Sequence, residues 1–233
     1  MKLKDKVAIV TGSGRGIGQA IAMAYANEGA KLALCSRTAS ELEQTVGEIR
    51  AMHVDVEGWP CDVSLEDSAQ SFVAHAIKKF GRVDVLVNNA GVMTRPVPIT
   101  ELEVRKWDYT MAVNLRGPFL ITQAVLPIMM KQKNGSIINV SSMIGRGAYA
   151  NFLAYATSKW GLEGFTQTLA AELRPSNIRV NSVEPGYVAT KLTGFHGSRP
   201  DSVTEVFVFL ASDESKSVTA KMLSSSGWKS QLK

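Results

Sequence analysis

Val7-Ala8-Ile9-Val10-Thr11-Gly12-Ser13-Gly14-Arg15-Gly16-Ile17-Gly18-Gln19-Ala20-Ile21-Ala22 is the stretch that decides the fold. Four apolar residues, β-branched for the most part, read as a buried strand. A turn with four glycines in seven residues follows, and then apolar positions at helical spacing. Glycine lets a backbone turn tightly and come close to a pyrophosphate. The helix that starts behind the turn offers free N–H groups and the positive end of its dipole to phosphates. The spacing is not G-x-G-x-x-G, because Ile17 and Gln19 stand where that pattern needs its last glycine. It is not a P-loop either, since no Gly-Lys-Ser/Thr follows. It fits G-x-x-x-G-x-G, from Gly12 through Gly16 to Gly18. A plain βα turn rarely needs so many glycines.

Beyond this turn the chain alternates short apolar runs with longer helical patterns. The pattern predicts strands over residues 7–10, 32–35, 54–59, 83–87, 136–140 and 178–183. It predicts helices over 16–27, 40–50, 65–80, 101–131 (with a break) and 155–173. Such alternation implies βαβ units and a parallel sheet covered on both faces. Right-handed crossovers make this an α/β, doubly wound, Rossmann-type sheet. Ser40 before Glu41 and Glu43, and Ser64 before Glu66 and Asp67, read as helix starts. Gly29 and Gly81 read as helix stops, and Pro185-Gly186 breaks the chain after the sixth strand. No repeat or linker divides the chain, so a single domain over residues 1–233 is expected.

Composition sets the class. Of 233 residues, 45% are hydrophobic and 20% charged, as in an ordinary globular protein with a sizeable core. The net charge of +5 is mild and scattered. No basic block is interleaved with aromatics, so no nucleic-acid partner is expected. No run approaches the ~20 apolar residues of a membrane span, and no apolar signal core precedes the first strand. Cys35 and Cys61 make no disulfide framework and read as packed thiols. A cytoplasmic enzyme is the expectation.

The second strand's end bears on cofactor choice. An acid there pairs with an adenosine ribose 2′-hydroxyl, whereas an arginine accommodates a 2′-phosphate. The chain reads Cys35-Ser36-Arg37-Thr38, with no acid. Arg37 presents a planar guanidinium to phosphate, and Arg15 in the glycine turn can approach the same group. NADP is favoured, and NAD less so.

Tyr155 and Lys159 lie four residues apart, on one face of the helix expected over 155–173. Ser142 precedes the tyrosine by thirteen residues. Phenol, ammonium and hydroxyl together make a proton donor for a carbonyl. The ammonium is expected to lower the tyrosine's pKa from its usual ~10 toward working pH. A surface tyrosine and lysine sharing a helix by chance is the plain alternative for the pair alone.

Together these pieces resemble the short-chain dehydrogenase/reductase family. The matching motifs are Thr11-Gly12-Ser13-Gly14-Arg15-Gly16-Ile17-Gly18, Cys61-Asp62-Val63, Asn88-Asn89-Ala90-Gly91, Asn114, Ser142, Tyr155-x-x-x-Lys159 and Pro185-Gly186. They occur in family order, and Phe209-Leu210-Ala211-Ser212-Asp213 adds a later match. The nearest flavour is that of 3-oxoacyl-carrier-protein reductases and related carbonyl reductases. The resemblance implies that Tyr155 protonates the substrate oxygen, Ser142 orients the carbonyl, and Lys159 acts on the tyrosine and the nicotinamide ribose. It also implies that Asn114 helps hold a proton-relaying water. Asp62 and Val63 would frame the adenine. Asn88, Ala90 and Gly91 would line the adenosine ribose and pyrophosphate, although Asn88 and Asn89 also suit a turn that stabilises the sheet end. Pro185, Gly186, Val188 and Thr190 would pass the nicotinamide.

Two stretches depart from the family pattern. Only eighteen residues separate Thr190 from Phe209, where the family carries a substrate-covering pair of short helices. The segment around 191–200 reads as a loop rather than a lid, which implies an open cleft. Met222 to Trp228 stands where the family more often has an acid and paired glycines. His196 reads as a surface histidine. The resulting expectation is an NADPH-dependent reductase of a small or carrier-tethered carbonyl. Oxidation of a polyol, sugar or steroid alcohol is the second reading, and an idle NADP-binding sensor or subunit the third. A homodimer or homotetramer is implied by the resemblance, through the 101–131 and 155–173 helices. Phe119, Val125, Phe165 and Leu169 could equally pack inside one subunit.

Overall fold

A computed structural model describes residues 1–232. In chain order the elements are β1 (Val7–Thr11), α1 (Gly16–Asn27), β2 (Lys31–Ser36), α2 (Ala39–Arg50), β3 (Val56–Pro60), α3 (Glu66–Phe80) and β4 (Val85–Asn88). Next come α4 (Val104–Met111), α5 (Gly117–Gln132), β5 (Gly135–Val140), α6 (Leu153–Leu173), β6 (Ile178–Glu184), α7 (Glu205–Ala211) and β7 (Met222–Ser224). All strands pair in parallel in one sheet of order β3-β2-β1-β4-β5-β6-β7. The expected doubly wound α/β architecture is therefore present, with β7 added at the edge.

Period-two alternation sends each strand's residues to opposite faces. Ala8, Val10, Leu32, Leu34, Val85 and Val87 face one way and pack on Ile21 and Tyr25 of α1, Leu42 and Ile49 of α2, and Phe207 and Leu210 of α7. Ile9, Ala33, Leu86 and Ile137 face the other way, onto Phe72 and Val73 of α3, Ile121 and Val125 of α5, and Leu169 and Leu173 of α6. Three helices thus cover each face, as parallel strands require. Val125 and Leu169 are spent on this core, whereas Phe119 is 44% exposed.

The expected helix stops hold: Gly29 and Gly81 have φ of +82° and +73°. The expected starts hold to within a residue or two, with Glu41 in the first turn of α2 and Glu66 and Asp67 in that of α3, but neither serine caps its helix. Ser40 lies inside α2, and Thr38 before it makes no side-chain cap. Ser64 spends its hydroxyl on Asp62 Oδ1 at 2.6 Å, two residues before α3 begins. The predicted 101–131 helix resolves into α4 and α5, joined by a π-helical turn over Ala112–Arg116. Wide turns of this kind concentrate at functional sites.

Asp84 ties the start of β4 to β1. Buried at 3% exposure, its Oδ2 accepts from Val7 N at 2.9 Å, and both its oxygens accept from the Arg82 guanidinium at 2.9 and 2.6 Å. Truncation leaves a buried N–H unpaired, a loss of about 2–3 kcal/mol. Asp84→Ala is accordingly expected to lower the unfolding free energy in urea by that amount. A loss under about 0.5 kcal/mol would refute the assigned role.

Candidate active site

The chain order reverses between β1 and β4, the place where open α/β sheets hold ligands. The loops leaving these two strands are bonded together there. Thr11 Oγ1 accepts from both Asn89 N and Ala90 N at 3.0 Å. Asn89 Nδ2 donates to Thr11 O at 2.8 Å and to Gly12 O at 3.1 Å. Gly12 and Gly16 have φ of +65° and +60°, and a Cβ on Gly12 would stand 2.8 Å from Ala90 Cα. A Cβ on Gly18 would stand 2.3 Å from Gly12 O. The glycines therefore bring the helix start against the strand end and keep the turn's backbone bare.

A cavity of about 440 Å³ opens along this crevice. Gly12, Arg15, Gly16 and Ile17 line it from the glycine turn, and Arg37 from the end of β2. Asp62 and Val63 contribute after β3, Ala90 and Gly91 after β4. Ser142, Tyr155 and Lys159 line its other end, with Pro185, Gly186, Val188 and Thr190. Five expected residues stand behind the wall. Ser13 is fully buried and donates to Cys35 O. Gly14 packs against Ser36 and Glu41, and Gly18 lies under the turn. Asn88 points into the sheet, donating to Thr122 Oγ1 at 3.1 Å and to Asn139 Oδ1 at 2.9 Å. Asn89, one residue on, lines the cavity in its place.

Asn114 is the fifth, carried fully buried on the π-helical turn. Its carboxamide clamps the Val92 backbone, accepting from N and donating to O at 2.8 Å each, and its Nδ2 also reaches Ser158 Oγ at 3.1 Å. A Cβ on Gly91 would stand 3.5 Å from Asn114 Oδ1 and 3.9 Å from Lys159 Nζ, so both groups flank that glycine.

Ser142 caps the short turn Met143–Gly145, its Oγ accepting from Ile144 N at 3.2 Å. α6 places Lys159 Nζ 2.8 Å from Val140 O and 5.6 Å from the Tyr155 ring centroid. Burial pushes the Lys159 ammonium from 10.5 down to about 8, while Glu163 pulls it up. Burial also raises Tyr155 above its ordinary value, with the Ser142 side chain pulling the other way. The expected lowering of Tyr155 by Lys159 is therefore not found: desolvation of the phenol outweighs the Ser142 hydrogen bond, and the lysine points at a backbone carbonyl. The phenol keeps its proton at working pH but is a weaker acid for it, so donation depends on support for the phenolate as it forms.

Sequence reasoning missed Glu41. No acid ends β2, but α2 starts immediately afterwards and its first turn swings Glu41 into the cavity wall. There it pairs with Arg15. Arg37 Nη1 donates to Tyr109 OH of α4 at 2.6 Å. Both cationic side chains of this end thus have partners. The segment after Thr190 is short yet not remote from the site. Thr193 Oγ1 folds back onto Val188 O at 2.6 Å, and Lys191, Leu192 and Thr193 all line the cavity. Thr190 closes over the glycine turn, its Cγ2 3.2 Å from where a Gly16 Cβ would lie.

This geometry has close counterparts among known proteins. Residues 6–200 match the short chain dehydrogenase family. The chain belongs to that family. The 3-oxoacyl-(acyl-carrier-protein) reductase FabG of Thermotoga maritima is 38% identical over 244 aligned positions, covering 97% of this chain and 98% of that protein. The alignment is longer than this chain's 233 residues, so the relative has positions with no counterpart here. The D-threitol dehydrogenase of Mycolicibacterium smegmatis is also 38% identical, over 91% of this chain and 88% of its own length. The crystal structure of levodione reductase superposes with a TM-score of 0.93 at 28% identity, covering 99% of this chain and all of that one. This short-chain dehydrogenase is thus an oxidoreductase acting on alcohol and carbonyl groups, in a family that uses nicotinamide cofactors. The bare glycine turn, the arginines at one end and the Ser142–Tyr155–Lys159 end suit such a dinucleotide laid along the cavity.

Burying Lys159 opposes folding. Its pKa falls from 10.5 unfolded to about 8 folded, so the unfolded chain binds more protons between those values. The cost, on the order of 3 kcal/mol, is fully present below pH ~8 and fades as pH rises to 10.5. Lys159→Met is expected to raise the melting temperature at pH 7, less so at pH 10, while activity is lost. An equal or lower melting temperature at pH 7 would contradict the buried-charge cost.

Proposed function

We propose that this enzyme reduces a ketone, of the 3-oxoacyl thioester class or a close analogue, with NADPH. The observation that carries the reading is the meeting of Tyr155, Ser142 and Lys159 with the glycine turn and Arg37 around one cavity. The bound dinucleotide supplies a hydride to the carbonyl carbon. Tyr155 gives its phenolic proton to the oxygen; burial raises its pKa, which opposes the transfer, so the phenolate must be stabilised as it forms. Ser142 donates a hydrogen bond to the same oxygen, a preorganised donor where negative charge develops. Lys159 holds positive charge beneath the phenol and supports the phenolate that protonation of the substrate leaves behind. Asn114 fixes the Gly91–Val92 backbone beside Lys159 and, with that lysine, would hold a relaying water.

At the adenosine end Arg37 is assigned to the 2′-phosphate, with Arg15 beside it. Asp62 and Val63 flank the adenine, and Pro185, Gly186, Val188 and Thr190 flank the nicotinamide. The short stretch after Thr190 suits a large or tethered substrate. A cytoplasmic setting agrees with two buried free thiols, and among the described residues no helix is long and apolar enough to span a membrane. Self-association into a dimer or tetramer is assigned to the face carrying Phe119 and Phe165, beside α4.

A second reading, oxidation of a polyol with NAD, is favoured by Glu41, an acid at the ribose end that neutralises Arg15. The two separate cleanly. Steady-state kinetics on 3-oxoacyl thioesters and on polyols should give a higher kcat/KM with NADPH than with NADH. Glu41→Gln should raise that ratio on the order of fivefold, about 1 kcal/mol, by freeing Arg15. A wild-type preference for NADH and polyols would overturn the proposal. Tyr155→Phe should lower kcat about 10²–10⁴-fold with NADPH affinity retained. Wild type and Tyr155→Phe equally inert on every substrate, both binding NADPH, would mark a nucleotide sensor.

A further inference from the structure

Glu163 lies one helical turn beyond Lys159 on α6 and is 5% exposed. Its Oε2 accepts from Ser182 Oγ of β6 at 2.7 Å. Its Oε1 has no hydrogen-bond partner among the described residues. A buried carboxylate oxygen left unpaired is unfavourable, and a structural tie between α6 and β6 needs only the oxygen that Ser182 already holds. Nothing in the packing of α6 on β6 asks for a charge at this position.

The group that benefits is Lys159, also 5% exposed. Desolvation drives its ammonium toward the neutral amine, and Glu163 is the opposing influence. The other groups around Lys159 are neutral: Tyr155 on its own helix, Ser142 and the Gly145 backbone after β5, Gly91 after β4, and Asn114 on the π-helical turn. β6 contributes Ser182 at Glu163, with the carboxylate of Glu184 two residues further along. At (i, i+4) on a helix, Glu163 is placed to act on the lysine without reaching the cavity.

We propose that Glu163 is a positioning residue for catalysis, its buried carboxylate keeping Lys159 in the ammonium form beneath Tyr155. The inference rests on the reductase reading above for the role of Lys159, but its first readout needs neither cofactor nor substrate. In the purified enzyme carrying ¹³C-labelled lysine, the Lys159 side-chain resonance is the one missing from Lys159→Arg, and its titration is followed by NMR. Glu163→Gln keeps an acceptor for Ser182 and removes the charge. It should move the Lys159 titration down by about one pH unit. The high-pH fall of kcat/KM, where the ammonium is lost, should move down with it. Ser182→Ala keeps the carboxylate and removes the hydrogen bond, and should leave both within about 0.3 unit. Glu163→Asp should recover part of the shift. An unmoved Lys159 titration in Glu163→Gln, or an equal shift in Ser182→Ala, would overturn the proposal. A shifted titration in an enzyme that turns over no carbonyl would uphold the electrostatic link and count against the reductase reading instead.

Discussion

The sharing of one hydroxyl between two amides holds the site open. Thr11 Oγ1 takes the N–H groups of both Asn89 and Ala90, which joins the ends of β1 and β4 where the winding of the sheet reverses. That junction needs a backbone without side chains beside it, because a Cβ on Gly12 would stand 2.8 Å from Ala90 Cα. The glycines are thus a condition of the sheet's own geometry before they serve any ligand. Once the two loops are tied, α1 starts against the bare turn, and its unpaired N–H groups face the crevice.

The opposite end of the cavity is organised by burial rather than by backbone shape. Lys159 is pulled down and Tyr155 pushed up by the same loss of water. A protein could relieve both by opening the site, but would then lose the strength that charge interactions gain away from solvent. The fold keeps the strain and offsets part of it with fixed partners: Val140 O for the ammonium, Ser142 for the phenol, Glu163 one turn away. The residues to which the chemistry is assigned are in this sense among those that fold least willingly.

How much of this could be read from the chain follows the length scale of each feature. The extent of α1, 16–27, was legible because a glycine turn starts it and an apolar stripe runs along it. The strand cores were legible because doubly buried strands are continuous apolar runs, and the ends drifted by one or two residues where pairing partners decide them, as in β3 and β4. The π-helical turn was not legible. Its residues Ala112–Arg116 have ordinary helical composition, and only the clamp of Asn114 on Val92 shows why the helix widens. Asn88 and Asn89 mark the limit most sharply. Adjacent residues of a strand end face opposite ways, so composition indicates an asparagine at the crevice without saying which.

Glu41 carries the same limit to function. Reading the end of β2 for an acid or an arginine treats cofactor choice as the property of one position. The structure brings a second element to that position, because α2 begins three residues after Ser36 and turns Glu41 toward Arg15. Positive charge at the end proposed for the adenosine is therefore the balance of Arg37, engaged with Tyr109, against an ion pair that contributes little net charge. A 2′-phosphate must draw Arg15 away from Glu41 to gain its second arginine, whereas a ribose hydroxyl needs no such exchange. Exposed ion pairs are weak, about 0–1 kcal/mol, so a bound phosphate can draw Arg15 away at a cost of that size. Selectivity in this cavity is consequently a small difference between two arrangements of the same three side chains.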